Sequence, residues 1–206
     1  MLRYFAFGLT YAFAAAVQPG PFQAFLLAQT SRNGWRRTLP AALAPLVSDG
    51  PIILLVLLVL SRVPGWLVTV LQGAGGLFLL YLASGAWATW RRGAVPPKLQ
   101  GPDRQQTLLK AALVNLLNPN PYLGWSLVMG PLLLKGWQES PANGLALLAG
   151  FYSALVVSTM GIILLFGLAG ALGPKVSRAL VGISAFALAA FGLYELWLAL
   201  STLLRR

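Results

Sequence analysis

Two acids stand inside long apolar stretches of this chain, Asp49 and Glu195, and they are half of its four carboxylates. A charged side chain at the centre of a membrane-spanning run costs about 2.5 to 3.5 kcal/mol on insertion scales, so it normally faces a cavity or a partner. Asp49 falls midway along such a run, beside Gly50-Pro51. Two roles are open to it. A helix restarting at Gly50-Pro51 would make Asp49 its N-cap, where free amides and the positive helix end favour negative charge. Facing a cavity, the same carboxylate could bind a substrate ammonium or take up a coupling proton. Glu195 lies nearer the outer end of the last apolar stretch, where a carboxyl reaching toward headgroups or water is the simpler reading. The chain has no Cys and no His. That removes disulfides, thiolate and imidazole metal ligands, haem ligation and nucleophiles activated by His.

The remaining polar chemistry is amide and backbone. Gln18-Pro19-Gly20-Pro21-Phe22 and Asn118-Pro119-Asn120-Pro121-Tyr122 stand 100 residues apart and repeat an amide, a proline, a small turn-compatible residue, a proline and an aromatic in order. Two prolines one residue apart delete two backbone donors and clash with the preceding turn, so neither pentapeptide fits inside a regular helix. Unwound backbone at membrane depth is tolerated only where it is buried in protein or lines a watery cavity. Freed carbonyls around Pro19 to Pro21 and Pro119 to Pro121, with the amides of Gln18, Asn115, Asn118 and Asn120, are therefore expected to form a polar ring near the midplane. Simple kinks in lipid-facing helices are the alternative, and they would strand those amides. Tyr122, Trp125, Tyr152 and Tyr194 are candidates either for lining a cavity or for packing. Gly50 with Gly150 and Gly73 with Gly173 match at the same offset.

The elements that must position these residues follow from composition. Of 206 residues, 58% are apolar and 9% charged, against about 25% charged in a soluble domain. Apolar stretches run from about Tyr4 to Gln29, Leu39 to Leu60, Gly65 to Trp90, Leu108 to Leu134, Asn143 to Gly170 and Ser177 to Leu203. Each is long enough, at about 1.5 Å per residue, to cross a hydrocarbon core of about 30 Å, and each must be helical. Arg3, the following apolar residues and Ala12-Phe13-Ala14 resemble a cleavable signal. The uncharged run from Tyr4 to Ser31 is longer than a signal's apolar region, so a span is expected there. The most polar connection, residues 91–107 with Pro96-Pro97 and Gly101-Pro102, divides the chain into halves at 1–90 and 108–206.

A net charge of +11 could suggest nucleic acid, but the Lys and Arg residues sit at the ends of apolar runs, where they set topology and meet anionic lipid. Arg32, Arg36, Arg37, Arg91, Arg92, Lys98, Arg104, Lys110, Lys175 and Arg178 fall on one side. Arg3, Arg62, Lys135, Arg205 and Arg206 fall on the other. The positive-inside rule then puts the linker in the cytoplasm and both termini outside. Trp35, Trp66, Trp90 and Trp137 at span ends suit an aromatic belt. With three spans per half, the second half enters the membrane from the opposite side, which is the inverted repeat of secondary transporters.

These features together resemble the LysE/RhtB family of amino-acid exporters. Pro19-Gly20-Pro21 in the first span, Asn33-Gly34-Trp35-Arg36-Arg37 in the loop, Ser48-Asp49-Gly50 in the second span and Asn115-Leu116-Leu117-Asn118-Pro119 opening the second half carry the resemblance. It covers essentially the whole chain. Ser48 stands where the family commonly has Gly, Pro51 follows the acid, and Asn120-Pro121 extends the second motif. The resemblance implies export of amino acids or similar small metabolites, driven by an ion gradient, across the inner membrane of a bacterium.

The expected protein is thus an all-α integral membrane protein of six helices, built as two inverted three-helix repeats with broken first and fourth helices, one repeat rocking against the other. The substrate site is expected at Asp49, Gln18, Pro19, Gly20, Pro21, Asn115, Asn118, Pro119, Asn120 and Pro121. No phosphate-binding Gly-x-x-x-x-Gly-Lys motif occurs, and no cofactor or metal is expected. The partners are an amino acid-like solute, a proton or sodium ion and membrane lipid, with assembly into a homo-oligomer left open. A metal-cation exporter is the near rival, for which one acid is few. A membrane-embedded enzyme is the distant one, and would need Asp49 and Glu195 to meet as a pair.

Overall fold

The computed structural model describes residues 1–59, 65–91 and 104–204, so most of the 91–107 linker, the connection before Gly65 and the last two arginines lie outside the described residues. Every regular element among the described residues is helical. The first is α1, Leu2–Val17, which is apolar but only 16 residues long. Gln18 then leaves the helical region at φ −65°, ψ 125°, and Gly20 is fully extended. Both residues precede a proline, whose ring disfavours helical backbone in the residue before it. The chain re-enters a helix at Pro21, α2, Pro21–Asn33, where a missing N–H costs nothing because the first helical turn has no acceptor for it.

The second proline motif behaves in the same way with a shorter gap. Helix α6, Arg104–Leu117, ends before Asn118, which is extended at φ −82°, ψ 126°, and α7, Pro119–Gly124, starts on the next residue. Pro121 remains helical because it falls within the first turn of α7, where its N–H would have had no partner. The path continues through a π-helical stretch, Trp125–Met129, into α8, Gly130–Glu139.

The second apolar stretch departs from expectation. It comprises α3, Trp35–Thr38, a 3₁₀ turn, Leu39–Leu43, and α4, Ala44–Leu54, followed by a π-helical stretch, Leu55–Val59. Asp49, Gly50 and Pro51 all lie within α4, so Asp49 is not the N-cap of a restarted helix. Pro45, in the first turn, fixes where α4 begins. Pro51 then removes only the bond to the carbonyl of Val47, and the helix runs through that single loss.

Three long helices complete the chain: α5, Gly65–Arg91, α9, Pro141–Ala171, and α10, Pro174–Leu204. Among the described residues, four segments are long and apolar enough to cross a membrane unaided, Trp35–Leu57, Trp66–Arg91, Pro141–Ala171 and Pro174–Leu204. The stretches bearing the proline motifs fall short because they are interrupted.

Helices in lipid gain little from apolar transfer, so their association rests on close packing at small residues. The two most extensive contacts are α5 against α10 and α1 against α9. A Cβ on Gly76 of α5 would stand 2.8 Å from the carbonyl oxygen of Gly192 on α10, and one on Gly192 would stand 2.9 Å from that of Gly76. Gly8 of α1 meets the backbone of Leu147, and Gly150 of α9 meets the backbone of Phe5. The glycine pairs at the 100-residue offset share no such role, since Gly50 and Gly73 face open space and Gly173 serves a turn at φ 130°. Trp66 and Trp137 are exposed as belt residues would be, whereas Trp35 and Trp90 pack against Gly167 and Gly182.

Two buried clusters divide the interior. One gathers Phe25, Leu26, Ile163 and Leu188, the other Ile52, Trp125, Met129 and Leu147. Large side chains such as Leu127, Val157, Leu165 and Trp197 point outward, the surface expected against acyl chains. Gly150→Ala places a methyl against the backbone of Phe5. It should lower stability by about 1 to 3 kcal/mol, read as an earlier thermal midpoint in detergent micelles. Gly161→Ala, which meets nothing within 4 Å, should leave that midpoint unchanged or raised.

Candidate functional site

Asp49 is almost wholly buried, and its partners come from the other half of the chain. Asn115, near the end of α6, donates through Nδ2 to Asp49 Oδ1 at 2.9 Å and to Ser48 Oγ at 2.7 Å. Ser48 Oγ in turn donates to the Ala44 carbonyl in its own helix at 3.0 Å, which leaves its lone pairs to Asn115. Tyr152 of α9 donates its hydroxyl to Asp49 Oδ2 at 3.4 Å. Trp125 lies beside the same carboxylate. Among the described residues, no basic side chain lines this site. A buried carboxylate held only by neutral donors retains its attraction for an incoming cation, because no resident charge has answered it.

The broken helices close part of what they open. Gln23, in the first turn of α2, donates through Nε2 to the carbonyl of Ala16 at 2.7 Å. Tyr122, in the first turn of α7, donates its hydroxyl to the carbonyl of Leu116 at 3.0 Å. The two carbonyls stand at the 100-residue offset, and each is satisfied by a side chain from the helix that restarts beyond its break. The carbonyl of Asn115 also accepts the N–H of Asn118 at 3.2 Å. The ring of freed carbonyls expected from the prolines is thus partly sealed.

The two restarts differ in their caps. Asn118 Oδ1 accepts the N–H of Asn120 at 3.0 Å, so α7 is capped by its own side chain. Gly20 offers α2 no side-chain cap. The N-terminus of a helix with free amides favours an anion.

These groups surround a cavity of about 160 Å³. Asp49, Gln18, Pro19, Gly20, Pro21, Asn115, Asn118, Asn120 and Pro121 all line it. Pro119 does not, and contributes instead to a second, much smaller cavity together with Glu195. Tyr11, Gln23, Phe151 and Thr159 complete the main wall without having stood out in the sequence. Gln23 alone carried a signal, being a long amide one turn beyond a helix break. Trp125 lines the cavity and Tyr152 reaches Asp49, while Tyr194 is exposed on the outer face. Glu195 does not reach toward water but is buried, contrary to the simpler reading of its position.

Comparison with the curated proteins and with the solved structures found no match. The family model described as LysE type translocator matches residues 13–198, a stretch that includes both proline motifs, Asp49, Asn115 and Glu195. The chain belongs to the LysE type translocator family.

Proposed function

We propose that this membrane translocator exports small amino acids or close analogues from the cytoplasm, using an ion gradient. The observation that carries the reading is Asp49, a buried carboxylate with only neutral donors, in a cavity shared with the uncapped start of α2. A zwitterion has the matching chemistry. Its ammonium would pair with Asp49, and its carboxylate would lie at the free amides of α2. The amides of Gln18 and Asn120 would supply further contacts. Cavities of about 150 Å³ hold a benzene-sized molecule, which favours a solute of few heavy atoms over a long or bulky one.

The two-repeat reading gains support from pairing as well as from the proline motifs. Exchanging the halves maps α1 against α9 onto α6 against α4, and maps α5 against α10 onto itself; all of these contacts are made. The broken stretches count as the first and fourth spans in this arrangement, which gives six crossings in all. An enzyme built on paired carboxylates finds no support, since Asp49 and Glu195 line separate cavities.

The binding role is tested at Asp49. Asp49→Asn keeps an acceptor for Asn115 and turns its amide N–H to the Tyr152 hydroxyl, which can accept it, so the protein should fold and insert normally. It should lose about 10- to 100-fold in amino-acid affinity, the worth of a charge-assisted over a neutral contact. Asp49→Leu leaves both donors unanswered at about 1 to 3 kcal/mol each and should also unfold earlier. A screen of isotope-labelled amino acids in proteoliposomes reads the first effect. Undiminished uptake by Asp49→Asn would remove the carboxylate from the binding site.

Orientation is tested with single cysteines in this cysteine-free chain. A membrane-impermeant thiol reagent added outside intact cells should label Leu204→Cys, at the exposed end of α10, and spare Gln105→Cys, at the exposed start of α6. The opposite pattern would invert the assignment.

A further inference from the structure

Glu195 is nine-tenths buried on α10, and its Oε2 has neither solvent contact nor a hydrogen-bond partner. It lines a cavity of about 10 Å³ with Pro21, Gly75, Leu117, Asn118 and Pro119. No other acid among the described residues is buried in this way without a partner, since Asp49 has Asn115 and Tyr152, and Glu139 is exposed.

Among the described residues, no charge answers Glu195 from the helices packed around it. Phe78 and Leu79 of α5 and Val114 of α6 form the rest of the cavity wall. The charged groups of those helices lie elsewhere. Arg32 of α2 sits against Gly85, ten residues or about 15 Å along α5 from Gly75. Arg91 ends α5, and Lys175 and Arg178 begin α10. Arg104 and Lys110 lie at least seven residues, or about 10 Å, along α6 from Leu117. The titratable hydroxyl of Tyr122 on α7 is committed to Leu116, that of Tyr152 on α9 to Asp49, and Tyr81 and Tyr194 are exposed. A bare carboxylate in this setting is strongly disfavoured, whereas a neutral carboxyl is tolerated.

We propose that Glu195 carries the coupling proton, at a site separate from the substrate cavity. The proposal rests on the export reading above and deepens it by dividing the labour, with Asp49 holding solute and Glu195 holding the proton. A proton suits this cavity better than sodium or another hard cation, which gathers about six oxygen ligands; the one carboxylate and one side-chain amide among the lining residues cannot supply them. The cavity has room for about one water-sized particle, enough to pass a proton to or from Oε2. Its walls give the coupling. Pro21 and Asn118 line both cavities, so each helix break borders the Glu195 cavity on one side and the substrate cavity on the other. The packing described here suits the protonated acid. Loss of the proton to water leaves a carboxylate that must be hydrated, which favours opening of α10 from the two breaks.

The test uses the full chain in liposomes. Infrared difference spectra across a pH titration should show the carbonyl band of a protonated carboxyl disappearing as pH rises. The band should be absent in Glu195→Gln and retained in Asp49→Asn. Uptake of an isotope-labelled amino-acid mixture driven by a pH gradient should fall about tenfold or more in Glu195→Gln, while gradient-free exchange of the same mixture persists. Asp49→Asn should lose both. Glu195→Asp, which keeps a carboxyl, should recover part of the driven uptake. Full gradient-driven uptake by Glu195→Gln, a band indifferent to that substitution, or uptake driven by sodium in place of protons would each overturn the proposal. If the unaltered protein moves no amino acid under any gradient, the export reading fails. The infrared titration then still decides whether Glu195 exchanges a proton.

Discussion

Lipid offers the backbone no hydrogen-bond partner, and the rest of this structure depends on how the chain meets that constraint at its proline motifs. Each motif ends a helix inside an apolar stretch and exposes carbonyls that the next turn would have used. The repair comes from the far side of each break, Gln23 onto Ala16 and Tyr122 onto Leu116. Because these repairs use side chains and not continuous helix, the segments stay separated at Gln18 to Gly20 and at Asn118. The polar cavity occupies that separation. Its depth in the membrane is therefore set by where the prolines stand, and its lining by the amides beside them.

Asp49 shows the same logic between helices. Its helix runs through Pro51 and contributes the acid without a break of its own. The acid is held by Asn115 and Tyr152, 66 and 103 residues away in the chain. Ser48 matters here beyond its size. By accepting from the amide that also reaches Asp49, it fixes the orientation of Asn115. A glycine at this position could not do so.

What was legible in advance divides along the range of the interactions. The interruptions at Pro19 to Pro21 and at Pro119 could be read directly, because proline acts on its own turn and on the residue before it. So could the lipid-facing character of the whole chain and most of the cavity lining. Of the two roles open to Asp49, the N-cap fell away because Gly50-Pro51 does not restart the helix, which Pro45 had already started one turn and more upstream. Pro119 was grouped with its neighbours by sequence, yet its ring turns to the other cavity. Glu195 was misjudged because distance from the end of an apolar run says nothing about which helices cover it, and α5 and α2 do so here. Tyr11, Phe151 and Thr159 are ordinary residues of apolar helices that gain a role only through packing.

The glycine crossings carry a consequence for motion. Both of the largest contacts join one helix from each half, α1 with α9 and α5 with α10. The halves are interleaved, so neither can swing as a block without tearing one of these seams. The natural rigid pieces are the cross-half pairs. Where two backbones touch at Gly76 and Gly192, the side chain of Leu196 lies over the first glycine and that of Leu80 over the second, so one helix cannot slide along the other without lifting both leucines from their seats. A seam of this kind behaves as a clamp that keeps α5 and α10 moving together, and it sits within one helical turn of Glu195.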